Sequence, residues 1–149
     1  MNLSYMFQEF ITQIMDDRLL SEVQQEEKII QVFDLFRFIR IYKQPLKIND
    51  YRDMINIVDE DGIQKGIYFC DLLCNTRYSF DRLLYMPSEL ISLRKILRIK
   101  ELWFVIIEES FYTGDLTTSK EFIKTNKVAN LYDKIFYFNS SQSTIEILK

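Results

Sequence analysis

The sequence contains no histidine. That absence removes a histidine general base, Ser–His and Cys–His nucleophile pairs, and any histidine-ligated metal. Glycine is nearly as scarce: Gly62, Gly66 and Gly114 are the only three, and no two fall within a phosphate-cradling pattern. The two cysteines, Cys70 and Cys74, would share one face if their segment is helical. They still cannot complete a four-ligand zinc site without a further thiol or an imidazole. Nor does Cys-x-x-x-Cys match the Cys-x-x-Cys of a redox pair. They read as small buried hydrophobes, and no metal or cofactor is expected. The longest uninterrupted apolar run, Leu102 to Ile107, is far shorter than the roughly 20 residues that span a bilayer. The first residues, MNLSYMFQEFITQIMDD, lack the basic start of a signal peptide. Thiols without a secretory signal point to a reducing compartment, here the cytoplasm.

Alanine occurs once, at Ala129, against twenty isoleucines. Few Ala, Gly and Pro beside abundant Ile, Lys, Asn, Phe and Tyr point to an AT-rich gene, of the kind common in viruses, phages and mobile islands. The 149 residues are read as a single domain, 1–149. A domain of this size buries roughly 68–70% of its unfolded surface without staples.

Hydrophobic spacing predicts an α+β fold that is predominantly helical. Leu3, Phe7, Phe10 and Ile14 recur at helical intervals. Ser21 and Gln24 form a capping box, and a helix over about 22–42 follows it. Its second half is apolar nearly all round, interrupted only by Gln31, Asp34, Arg37 and Arg40. This predicts a central helix buried on most sides. A third helix is expected along Ile48, Tyr51, Ile55 and Val58, stopped at Asp61-Gly62. Residues 66–75 suit helix or strand. Pro87-Ser88 opens a helix with Leu90, Leu93 and Leu97 inside. Two or three short strands complete the picture, at about 102–107 and 144–148. Between them, Thr118-x-x-Glu121 is a second capping box, with helix through Leu131, Ile135 and Phe138.

Charge then bears on function. Residues 37–52 net +4, and Arg94, Lys95, Arg98 and Lys100 add +4, yet the chain totals −3 with a pI near 5.1. That balance disfavours nucleic acid. The acids gather as Asp59-Glu60-Asp61 and as Glu108-Glu109, with Asp115 nearby. Together with Tyr78 and Tyr112, which suit interface anchoring, they make up the candidate partner-binding residues.

The expected function is therefore non-catalytic: an intracellular protein-binding module, an inhibitor that neutralises a basic partner such as a toxin. In overall composition the chain is similar to small acidic immunity proteins. One alternative is a viral or phage protein that binds a host factor. Another is a Mg-dependent hydrolase or nuclease using Glu108 and Glu109 with Asp71 or Asp115, since carboxylates at a strand end can hold Mg²⁺. The partner is another protein, with no nucleic acid and no membrane. Self-association as a homodimer through Tyr and Ile surface is a further expectation.

Overall fold

Strand β4, Glu101–Glu108, carries the run Leu102-Trp103-Phe104-Val105-Ile106-Ile107, and every one of those side chains is buried. A strand buried on alternating sides needs cover on both faces, and the fold is built around supplying it. The computed structural model describes residues 3–42, 46–50, 55–71, 87–108, 114–125 and 130–149. In chain order they form α1 (Leu3–Asp16), α2 (Glu22–Tyr42), β1 (Lys47–Asp50), β2 (Ile55–Val58), β3 (Gln64–Asp71), α3 (Pro87–Ile96), β4, α4 (Gly114–Thr125), β5 (Lys134–Asn139) and β6 (Thr144–Ile147).

The six strands make one mixed sheet in sequence order, β1 to β6. β3, β4 and β5 are parallel, with Trp103 opposite Ile67 and next to Lys134; the other pairings are antiparallel. The crossovers through α3 and α4 advance in the same direction along the sheet. With the same hand, they lay both helices on one face. There Leu93, Leu97, Leu116, Phe122 and Ile123 cover Phe104, Ile106, Ile135 and Tyr137. Helices α1 and α2 cover the other face. Ile14, Val32, Leu35, Phe38 and Ile39 pack there on Ile55, Ile57, Ile67, Trp103, Val105, Phe136 and Phe138. No described helix is long and apolar enough to cross a membrane.

The expectation of a predominantly helical chain with two or three strands is thus overturned: a six-stranded sheet is the centre of the molecule. The third helix expected along Ile48, Ile55 and Val58 is the β1–β2 hairpin. Its apolar positions matched a helical interval because short strands carry too few residues to separate the two periods. The helix expected to run through Leu131, Ile135 and Phe138 ends at Thr125, and Ile135 and Phe138 belong to β5. In β5, four consecutive apolar residues alternate between two covered faces, so the polar half of the two-residue pattern is missing. Thr118 is inside α4 rather than at its cap. Cys70 is in strand β3, level with Ile106, so it is not on a helical face; Cys74 lies outside the described residues. Helix α2 has the expected bounds, but it lies on one face of the sheet and is not enclosed by the domain.

Its start follows the sequence signal closely. The Ser21 amide donates to Gln24 Oε1 at 2.9 Å, and the Gln24 amide donates to Ser21 Oγ at 3.2 Å. Gln25 then ties α2 back to α1. Its Nε2 donates to the carbonyls of Ile14, Met15 and Asp17, each at 3.2 Å, where the end of α1 has no intrahelical donors left.

Candidate functional site

The acidic run Asp59-Glu60-Asp61 forms the turn between β2 and β3 and not a helix end. Asp59 organises it. Its Oδ1 accepts from the amides of Asp61 at 2.9 Å and Ile63 at 3.0 Å, the side-chain turn that Asp is suited to make. Its carbonyl accepts from the Gly62 amide at 3.1 Å. Gly62 has φ +77°, a left-handed conformation that costs a side-chain-bearing residue roughly 1 kcal/mol. The result is a rigid tip presenting Glu60 and Asp61, both exposed, to solvent.

Beneath the turn lies a cluster of charges that the sequence reading did not identify. Lys65, one residue into β3, is almost fully buried. Its Nζ bonds Glu101 Oε2 at 2.9 Å and Asp59 Oδ2 at 3.2 Å. Glu101 Oε2 also accepts from the Trp103 indole Nε1 at 2.9 Å. Lys65 Nζ and Lys134 Nζ stand 5.2 and 5.3 Å from the centre of the Trp103 ring, within cation–π range. Parallel register explains the assembly: Lys65 is level with Glu101 and Trp103 with Lys134. Tyr42, the last residue of α2, closes the cluster with its ring edge-on to Trp103 at 5.6 Å. A buried lysine between two carboxylates is a satisfied set, and it anchors the acidic turn to the sheet.

These contacts perturb the groups' acidity. A backbone hydrogen bond from Ile63, offset in part by burial and reinforced by Lys65, holds Asp59 below the ordinary 3.8. Burial raises Glu101, but hydrogen bonds from Lys65 and Trp103 outweigh it and leave Glu101 below the ordinary 4.5. Burial lowers Lys65, but Glu101 and Asp59 outweigh that and leave it above 10.5. Desolvation raises Tyr42 above 10.0. For the two lowered carboxylates, the stabilisation is complete above their unfolded values and is lost as pH falls through the folded ones. For raised Lys65 and Tyr42 it is complete below the unfolded values and is lost as pH climbs through the folded ones. Unfolding free energy should therefore be flat from about pH 5 to about pH 9 and fall on both sides. Urea titrations at a series of pH values measure it; a maximum confined to the acid side would contradict this placement.

The other candidate residues lie elsewhere. Glu108 ends β4, at the opposite end of the sheet from the turn and about 23 Å along the strand from Glu101. It is 3% exposed and level with Asn139 of β5. Its carbonyl accepts from the Ser140 amide at 2.9 Å. Asp115 is in the first turn of α4. Tyr78, Glu109 and Tyr112 lie outside the described residues. The structure thus groups Asp59, Glu60 and Asp61 and separates Glu108 from them. Among the described residues, no three His, Cys, Asp or Glu side chains gather as a metal-binding group. An apolar crevice between α1, α2 and β1, bordered by Phe7, Val32, Leu35, Phe36, Ile39 and Leu46, has a volume of about 20 Å³, room for one water.

The sequence carried one signal for the missed cluster. Lys65 and Glu101 each stand at the entrance to an apolar strand, but only the register of the sheet pairs them across 36 residues. No protein-family model matches the chain, and no curated protein matches it.

Proposed function

We propose that the protein is a non-catalytic binding module that occupies, and so neutralises, a basic surface on another protein. The observation that carries this reading is the β2–β3 turn. Glu60 and Asp61 are exposed on a backbone that Asp59 and Gly62 hold in one shape. Because Asp59 is itself bound to Lys65 beneath, the loop is ordered before any partner arrives, which lowers the entropic cost of binding. A net charge of −3 adds long-range attraction toward a cationic surface, an effect on association rate and specificity more than on final affinity. The reading places the protein in a reducing cell interior, where Cys70 and Cys74 remain thiols.

Affinity capture from the native cell, followed by mass spectrometry, tests this with two baits, the wild type and Glu60→Lys/Asp61→Lys. A basic protein retained by the wild type, released by moderate salt and depleted on the variant bait, is the expected result. Equal recovery on both baits, or nothing above background on either, would overturn the reading.

A further inference from the structure

Helix α2 carries two opposite seams. The inner one packs on the sheet through Val32, Leu35 and Ile39. The outer one is Val23, Glu26, Ile30, Phe33, Arg37 and Arg40, spaced three, four, three, four and three residues apart, the spacing of a helix that pairs with another. Its apolar members are open: Val23 is 66% exposed, Ile30 58% and Phe33 46%. A surface helix ordinarily turns charge outward; here the Phe33 ring meets Phe7 of α1 edge-on at 5.7 Å, yet Phe33, Ile30 and Val23 all stay exposed.

The order of charges along the seam says what fits. Glu26 stands on one side of the Ile30–Phe33 pair and Arg37 on the other, with Glu22 and Glu27 strengthening the acidic end and Arg40 the basic end. We propose that a second copy of this chain covers the seam, antiparallel, across a two-fold axis between Gln31 and Val32. Such an axis pairs residue 30 with 33, 26 with 37 and 23 with 40. Ile30 and Phe33 of each copy meet at the centre. Glu26 of one copy faces Arg37 of the other, twice, and the Arg40 stem lies along Val23. The interface is self-complementary, as an isologous dimer demands. A parallel arrangement would put acid against acid and base against base, and is disfavoured.

The guanidinium of Arg37 already lies 5.5 Å from the centre of the Phe33 ring, and that of Arg40 5.8 Å from Phe36. Arg37 also approaches Asp34 at 3.9 Å; these contacts hold both cations along the seam, where Glu26 of the second copy adds to them. From Val23 to Arg40 the seam runs about 26 Å. The seam shares no residue with the acidic β2–β3 turn, so the dimer is tested separately from the partner proposed above.

Sedimentation velocity of the full chain over roughly 2–200 µM tests the dimer. The wild type should pass from monomer to dimer within that range. Ile30→Asp should stay monomeric with an unchanged circular dichroism spectrum. Glu26→Arg and Arg37→Glu should each weaken self-association at least about tenfold, whereas a mixture of the two should recover it, because both cross-pairs then attract. A wild type monomeric throughout, an Ile30→Asp dimer of wild-type strength, or a mixture no stronger than its parts would overturn the proposal. So would a monomer that instead binds zwitterionic lipid vesicles through Ile30.

Discussion

Trp103→Ala is expected to destabilise the protein by about 3–5 kcal/mol, the range for truncating a large buried aromatic side chain. The only tryptophan in the chain is 1% exposed and joins the layers of the fold. Its ring meets Tyr42 of α2 at 5.6 Å and Phe136 of β5 at 5.1 Å. Two lysines lie within cation–π distance, and its indole N–H bonds Glu101. The substitution therefore opens a cavity and strips one donor from the half-buried Glu101 carboxylate. Trp103→Phe separates the two effects: it keeps most of the volume and loses the N–H, for about 1–2 kcal/mol. Urea unfolding followed by far-ultraviolet circular dichroism reads both variants, since the substitutions remove the fluorescent probe. A loss for Trp103→Ala below about 1 kcal/mol would mean that the ring is not packed as described.

Lys65→Met is expected to cost about 2–3 kcal/mol. Removing one member of a buried ion pair leaves its partner's charge uncompensated, typically for 3–5 kcal/mol. Here the figure is smaller because the Glu101 side chain remains 29% exposed and keeps its indole donor. Lys65→Met/Glu101→Gln should recover part of the loss, since residue 101 then carries no uncompensated charge and Asp59 keeps its two backbone donors. The acid limb of the stability profile should also move. Without Lys65, the carboxylates titrate nearer their ordinary values, so less stability is lost on acidification and the acid limb becomes shallower than in the wild type. An unchanged acid limb would detach Lys65 from both carboxylates.

These two residues also mark what the sequence could reveal. Features set by neighbours along the chain were legible. The Ser21–Gln24 box, the α2 boundaries, the helix opening at Pro87 and the apolar run of β4 all depend on residues a few positions apart. Features set by the sheet were not. Residues 55–58 and 134–139 are strands covered on one or both faces, and their apolar positions fit a helical interval as well as an extended one. Lys65, Glu101 and Lys134 lie far apart along the chain, and only parallel register places them around one indole. The all-round apolar character of α2 suggested enclosure; the structure instead leaves Val23, Ile30 and Phe33 outward. Of the candidate site, Asp59-Glu60-Asp61 was legible as an acidic run. Its use as a fixed turn followed only from the β2–β3 pairing.

The central functional claim is that this turn steers a basic partner onto the molecule. The measurement that tests it most directly is the association rate of the captured partner at about 50 and about 300 mM salt, for the wild type and for Glu60→Lys/Asp61→Lys. The account predicts that wild-type association slows at least tenfold over that range. It also predicts that the variant is slowed at least tenfold at the lower salt, with dissociation changing far less. Equal association rates for the two proteins at low salt would contradict it.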